Sequence, residues 1–189
     1  QWRRDLLAHN LNELYGHKDD SRSADNRQRY LVRAIDGEAR GFLSDKYRRL
    51  DSRPLLEAFI AAAQSCHAVP LRGTASDTRV SMTVALPWVF EPIPDEILTF
   101  GLDWQNSDFG VGKHAVRFVI NRGACTNKAI TSDLMADVHI GGKLPDSIHF
   151  SQELYADDAR LTANALTEIV QTFLAPDKIR ALCEAVRKA

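Results

Sequence analysis

The sequence predicts an α+β protein, in which a β-hairpin and a mainly antiparallel sheet are packed by one internal helix and two C-terminal helices. The segment 30–44 holds a β-rich run with a turn dipeptide, and residues 80–86 and 116–121 alternate in the period-2 pattern of half-buried strands. Apolar residues recur at helical spacing in the segment 51–65 and from residue 151 onward. Because strands and helices are segregated along the chain, an alternating parallel fold is not expected.

The beginning of the chain differs from the rest. The 189 residues, 44% of them hydrophobic, suffice for one hydrophobic core. A short helix is predicted first, with apolar positions at Leu6, Leu7, Leu11 and Leu14. The polar stretch 16–29 follows, so we predict an N-terminal helix and linker over residues 1–29 and a single α+β domain over residues 30–189. Because the first residue is Gln1 rather than Met, we expect a piece of a longer polypeptide.

The hairpin prediction depends on a turn dipeptide between two strand-like runs. Residues 30–35 are rich in β-branched and aromatic types, and residues 38–44 form the returning strand. Asp36 and Gly37 between them are the dipeptide that favours a two-residue hairpin turn.

The internal helix is predicted over residues 51–65. Asp51 or Ser52 offers an N-cap, and Pro54 is tolerated in the first turn. The apolar positions at helical spacing are Leu55, Leu56, Phe59, Ile60 and Ala63.

Three strands are predicted in the middle of the chain, over residues 80–86, 96–104 and 116–120. The loop 105–113 between the last two contains Gly110 and Gly112. A phosphate-binding loop needs a Gly five residues before its Gly-Lys pair and a Ser or Thr after the Lys. Ser107 and His114 occupy those places, so we predict a glycine turn and no nucleotide site.

Two helices are predicted at the C-terminus. Ser151 offers the cap of the first, and Pro176 opens the second. The first helix carries one broad apolar stripe of Leu154, Leu161, Ala165, Leu166, Ile169, Val170, Phe173 and Leu174. The second carries Ile179, Leu182, Cys183 and Val186.

Composition excludes several classes of protein. No stretch approaches the roughly 18 apolar residues of a membrane span, so no membrane partner is expected. The three cysteines form no CxxC pair, which favours reduced thiols and a cytoplasmic location. The six histidines and the carboxylates show no metal-ligand spacing, and no nucleophile motif is present. We therefore expect no metal, no cofactor and no enzymatic activity.

Charge is balanced overall and uneven locally. The net charge is −1, yet residues 1–50 hold 11 Lys or Arg against 8 Asp or Glu. Basic and aromatic side chains interleave on the hairpin and its exit, and this combination suits single-stranded nucleic acid because cations neutralise phosphates while rings stack on bases. The candidate nucleic-acid-binding residues are Arg33, Arg40, Lys46, Tyr47, Arg48 and Arg49, with Lys113 in the glycine loop. The alternative is that Tyr30, Phe42 and Tyr47 are core residues with solvated arginine neighbours.

Two ordered segments carry a resemblance to a known family. The first runs from Tyr30-Leu31-Val32-Arg33 through Gly41-Phe42-Leu43-Ser44-Asp45-Lys46-Tyr47, and the second comprises Asn106-Ser107-Asp108-Phe109-Gly110, Arg117-Phe118 and Cys125-Thr126-Asn127. Together they resemble the phage and plasmid family catalogued as domain of unknown function 932. The resemblance implies a mobile-element protein that works near recombination and replication. By element order alone the chain is also similar to single-strand annealing proteins, which implies DNA binding by a basic hairpin and self-association.

Two functional hypotheses remain open at this point. The first is a non-enzymatic, self-associating protein that binds single-stranded DNA and promotes annealing. The alternative is a structural or interaction module of a phage or plasmid assembly that binds no nucleic acid. The Asn106-Ser107-Asp108 run is open in the same way: these side chains either bond neighbouring backbone groups in a turn or contact a partner.

Overall fold

The structure is a computed structural model, and it describes residues 30–36, 38–44, 47, 50–122, 138–139 and 152–188. The described residues belong to two compact units. The first lies within Gln1–Arg48 and Gly142–His149, and the second within Arg49–Gly141 and Phe150–Ala189. The predicted N-terminal helix and linker over residues 1–29 lie outside the described residues, and the predicted domain boundary stays a prediction.

The described part of the first unit includes a two-stranded hairpin, formed by β1 (Tyr30–Ile35) and β2 (Glu38–Ser44) in antiparallel pairing. Ile35 pairs with Glu38, so two residues make the turn, and the first of them, Asp36, has a φ of 51°. Asp adopts this left-handed conformation more readily than most residues. The predicted hairpin and its turn are confirmed.

The second unit contains a six-stranded antiparallel sheet. Its strands are β3 (Val69–Ala75), β4 (Val80–Ala85), β5 (Phe90–Ile93), β6 (Glu96–Asn106), β7 (Ala115–Arg122) and β8 (Val138–His139). The order is β3-β4-β6-β7-β8, and β5 pairs with the first part of β6 beside the place where β4 ends. The three strands predicted for the middle of the chain are β4, β6 and β7. β3, β5 and β8 were not predicted from the sequence.

Three helices accompany this sheet: α1 (Ser52–Ser65), α2 (Gln152–Phe173) and α3 (Pro176–Lys188). The three helices among the described residues and the mainly antiparallel sheet together confirm the α+β prediction. Pro176 is the first residue of α3, where its fixed φ suits a helix start and its missing N–H is not needed.

One detail of the α2 prediction is wrong. Leu154 and Leu161 were expected on the apolar stripe, yet they are 50% and 67% exposed. The buried face passes instead through Thr162, which is 2% exposed, to Leu166 and Val170. Because successive helical residues are rotated by about 100°, a stripe through Thr162 turns Leu161 toward solvent.

The core lies between the helices and one face of the sheet. Phe59 of α1 stacks on Trp104 of β6 with ring centroids 5.9 Å apart, and Phe100 meets the edge of Phe90 at 5.0 Å. Phe59, Phe100 and Trp104 are fully buried. Burial of a large apolar side chain contributes about 1.5–3 kcal/mol, so this cluster is a main reason why α1 and β6 pack together.

Candidate nucleic-acid interface

The β1–β2 hairpin contains a β-bulge at one of the predicted DNA contacts. Arg33 pairs with Gly41, and the next residue, Ala34, pairs with Ala39. Arg40 is therefore the extra residue of the bulge. A bulge breaks the strict alternation of side chains and redirects the ones beside it, so the pairing places Gly41, and not Arg40, directly across from Arg33.

Arg40 forms a surface ion pair with an acidic residue of the same strand. Its guanidinium lies 3.1 Å from the carboxylate of Glu38, and the two side chains are 43% and 73% exposed. Exposed pairs of this kind contribute between 0 and about 1 kcal/mol. Arg33 is half-buried.

The exposed aromatic residue of the hairpin is Phe42. Its side chain is 48% exposed, although Phe42 pairs directly with Val32 one register step from Arg33. The list of candidate contacts drawn from the sequence omitted Phe42, because an aromatic residue in a strand is more often buried. Tyr47, which that list included, is half-buried and forms an isolated β-bridge. The hairpin thus presents one half-exposed ring on the strand that also carries Arg40. Arg33 pairs with Gly41, one register step from Phe42, where side chains point to the other face of the hairpin.

The remaining predicted contacts are one exposed residue of the second unit and three residues outside the described part of the chain. Lys113 is exposed and belongs to the second unit, in the loop between β6 and β7. Lys46, Arg48 and Arg49 lie outside the described residues. The structure therefore places Arg33 and Arg40 on one hairpin, and a role in DNA binding stays a prediction for every candidate residue.

The Asn106-Ser107-Asp108 run binds the start of α1, which the sequence did not indicate. Asn106 Nδ2 donates to the carbonyl of Leu50 and to Oγ of Ser52, both at 3.0 Å. The Asp108 carboxylate accepts from the backbone N–H of Ser52 at 2.7 Å. Asn106 is 4% exposed. These two side chains therefore connect the end of β6 to a helix that begins more than fifty residues earlier.

Ser107 holds its own loop, as the turn interpretation expected. Its hydroxyl donates to the carbonyl of Thr78 at 2.7 Å and accepts from the backbone N–H groups of Phe109 and Val111 at 3.3 and 3.2 Å. The guanidinium of Arg79 donates to the carbonyl of Val111. The Ser107 side chain thus fixes the loop to the turn between β3 and β4.

The glycine loop is a strand-to-strand turn, as predicted. Gly110 has a φ of 70°, a conformation that favours glycine. His114 is buried, and its Nε2 accepts from Trp104 Nε1 at 3.0 Å. This geometry requires an unprotonated Nε2, so His114 is a core acceptor for the indole N–H. The next residue begins β7, so the chain leaves this loop into a strand and not into a helix as a phosphate-binding loop does.

Two kinds of feature are absent from the described residues. No group of three or more His, Cys, Asp or Glu among them is placed to hold a metal ion. No helix in the described part of the chain is long and apolar enough to cross a membrane.

Comparisons with models of protein families, with curated proteins and with solved structures found no match to this chain. The resemblance to the phage and plasmid family stays an expectation from the sequence, and the function is proposed from the residues.

Proposed function

We propose that the protein binds single-stranded DNA through the β1–β2 hairpin and has no enzymatic activity. The observation that carries the proposal is the exposure of Phe42, whose ring is half accessible on the strand that also carries Arg40. An exposed ring beside cations is what single-strand binding requires, because bases stack on the ring while the phosphates meet positive charge.

The energetics favour single strands over duplex. Stacking of an unpaired base on an aromatic side chain contributes about 1–3 kcal/mol, and it is open to any base that is not already stacked within a duplex. Each phosphate contact adds affinity that falls as the salt concentration rises. Replacement of Glu38 by a phosphate at Arg40 exchanges one exposed ion pair for another.

The cellular role that we propose follows from the sequence resemblance: annealing of single strands in recombination or replication of a phage or other mobile element, by a self-associating protein in the cytoplasm. Annealing requires two strands to be held at once, and a self-associating protein holds them with two copies of one weak site.

Fluorescence anisotropy with a labelled oligothymidine tests the binding site. At about 50 mM salt and micromolar protein we expect binding, and Phe42→Ala weakens it by roughly 5- to 150-fold, which corresponds to the stacking energy of one base. Phe42→Trp retains binding. The matched control is Trp88→Ala, which removes a ring that is 43% exposed in the second unit and leaves DNA affinity unchanged.

The cationic contribution is tested by salt dependence. Arg40→Gln lowers the slope of log Kd against log salt concentration by about one, the change expected for the loss of one phosphate contact. The control Arg53→Gln, at an exposed ion pair of α1, leaves this slope unchanged. Absence of binding at about 50 mM salt overturns the proposal, because phosphate contacts are strongest there.

A specific observation also favours the interaction module as a second candidate. All seven residues of the edge strand β3 are exposed, with Val69 at 43% and Leu71 at 59%. Exposed apolar residues on an edge strand suit a protein partner. Light scattering that shows a defined oligomer of unchanged mass on addition of oligonucleotide supports this candidate against DNA binding.

A further inference from the structure

A cleft lies between the segment that joins β4 to β5 and helix α3, and it is independent of the hairpin. It encloses about 480 Å³, within the range of sites for small organic ligands. Leu86, Leu174 and Ile179 line it and are each at most 4% exposed. Trp88 also lines it and is 43% exposed. The cleft therefore offers an apolar body with an accessible indole.

Four charged side chains also line the cleft, and two of them are engaged elsewhere. Arg180 forms an ion pair with Asp177 at 3.4 Å. Glu91 accepts the backbone N–H of Asp95 at 3.1 Å, within the turn that follows β5. The remaining two, one cation and one anion, are Arg187 and Glu184 of α3.

Arg187 is held in a defined orientation. Its Nε donates to the carbonyl of Pro92 at 2.8 Å. Because Nε is used, the two terminal Nη groups remain as the fork that binds a carboxylate with two parallel hydrogen bonds. Glu184 lies three residues earlier on the same helix face, and no ion pair joins it to any residue that the structure describes. Adjacent charges of opposite sign are thus left for a ligand.

We propose that this cleft binds a zwitterionic ligand with an aromatic side chain, an aromatic α-amino acid. Its carboxylate meets Arg187, its ammonium group meets Glu184, and its ring lies against Trp88 above the apolar floor. A purely anionic ligand is disfavoured by the neighbouring Glu184, and a purely cationic one by Arg187. A ligand that carries both charges satisfies both groups.

The remaining wall of the cleft is uncharged. Cys183 lines it, and burial raises the pKa of its thiol, so the side chain stays neutral at physiological pH. Pro92 and Pro176 also line the cleft, and their fixed φ angles limit how far it can collapse when empty. The ligand therefore enters a largely preformed site.

Calorimetric titration of the full chain with four compounds tests the proposal. L-Phenylalanine is expected to bind with a Kd of about 1 mM or tighter. L-Phenylalaninamide lacks the carboxylate, N-acetyl-L-phenylalanine lacks the ammonium group, and L-alanine lacks the ring. Each is expected to bind at least about 10-fold more weakly, which is the effect of losing one charged hydrogen bond or the ring contact.

Side-chain variants identify which group meets which residue. Glu184→Gln weakens phenylalanine binding about 10-fold and leaves N-acetylphenylalanine unaffected. Arg187→Gln weakens phenylalanine and leaves the amide unaffected, and Arg187→Lys restores part of the affinity. Glu57→Gln and Arg53→Gln, at an exposed ion pair of α1, are the controls without effect. Thermal unfolding confirms that each variant is folded.

Two results overturn the proposal. One is the absence of phenylalanine binding up to about 10 mM. The other is equal binding of phenylalanine, its amide and its N-acetyl form, which assigns the cleft to apolar contact alone. Neither result bears on DNA binding by the hairpin, because the two sites share no residue.

Discussion

The carboxylate of Asp108 accepts two hydrogen bonds from Ser52, one from its backbone N–H at 2.7 Å and one from its hydroxyl at 2.5 Å. Ser52 is the first residue of α1, and the residue before it, Asp51, makes no capping hydrogen bond with its own side chain. The cap of α1 is therefore supplied from the loop after β6. This arrangement satisfies a free N–H group at the helix start and also places negative charge at the positive end of the helix dipole.

Loss of this cap should lower the stability of the whole second unit. Asp108→Ala removes the carboxylate oxygen that accepts both hydrogen bonds, and we expect the free energy of unfolding to fall by about 1–2 kcal/mol, the effect of a lost N-cap. Asp108→Asn keeps one acceptor oxygen and loses the charge, so its effect is smaller. Urea denaturation measures both. Glu57→Ala, at an exposed position of α1, is the matched control and changes stability by no more than about 0.5 kcal/mol.

Asn106 and Asp108 act on the same residue, and their effects should not add. Asn106→Ala leaves the buried carbonyl of Leu50 without this donor, at a cost of about 1–3 kcal/mol. Since both side chains hydrogen-bond to Ser52, the double variant should lose less stability than the sum of the single variants. A double-mutant cycle in urea measures the difference. Strict additivity would show that the two side chains hold α1 independently.

The elements that the sequence revealed are those with a local physical signal. The turn at Asp36, the helix from Ser52 and the start of α3 at Pro176 each depend on residues within a few positions. The cap of Ser52 by Asp108 depends on residues 56 positions apart, and no local pattern encodes such a pair. The prediction of a turn was therefore correct for Ser107. The long-range contacts of Asn106 and Asp108 with Ser52 were not predicted.

Solvent exposure explains why strand β3 and the half-exposed ring of Phe42 were not predicted. β3 has no alternation of buried and exposed residues because all seven are exposed, so the period-2 signal on which strand prediction depends is absent. Phe42 shows the converse at the candidate site: its strand was predicted, and its half-exposed ring was not. The charges at the cleft are spread over β5 and α3, and only their packing makes Arg187 and Glu184 neighbours of Trp88.

Among the glycines that the structure describes, Gly101 should be the one at which a methyl group is least tolerated. A Cβ there lies 2.1 Å from the carbonyl oxygen of Val84 and 3.1 Å from Cα of Ala85, its cross-strand partner. Both atoms are backbone, so relief requires separation of β4 from β6. We expect Gly101→Ala to cost at least about 3 kcal/mol, at or beyond the upper end of ordinary overpacking.

Gly73 provides the control for this prediction. Gly73 lies on the exposed edge strand β3, and a Cβ there lies 3.3 Å from Cε of Met82, the end of a flexible side chain. Gly73→Ala should change the free energy of unfolding by less than about 1 kcal/mol. Urea denaturation of the two variants under identical conditions checks the contrast, and equal effects at both positions would contradict the close packing of β4 against β6.

The thiol of Cys183 should ionise at a higher pH in the folded protein than in the unfolded chain. Burial raises its pKa, and the nearby Arg187 guanidinium offsets part of that rise. Since the thiolate is the form that reacts with iodoacetamide, the midpoint of the alkylation rate against pH should lie higher for the native protein than for the same protein in concentrated urea. Peptide-resolved mass spectrometry separates Cys183 from the other two cysteines.

The direction of the pKa shift of Cys183 also determines how the free energy of unfolding changes with pH. Because the unfolded thiol loses its proton at a lower pH than the folded one, ionisation of Cys183 lowers the free energy of unfolding as the pH rises through the folded pKa. Arg187→Gln removes the offsetting charge and should move the native midpoint still higher. Restricted access alone slows alkylation equally at every pH, so the midpoint, and not the rate, is the measurement that decides. Coincident midpoints in buffer and urea would show that the α3 wall of the cleft is not desolvated.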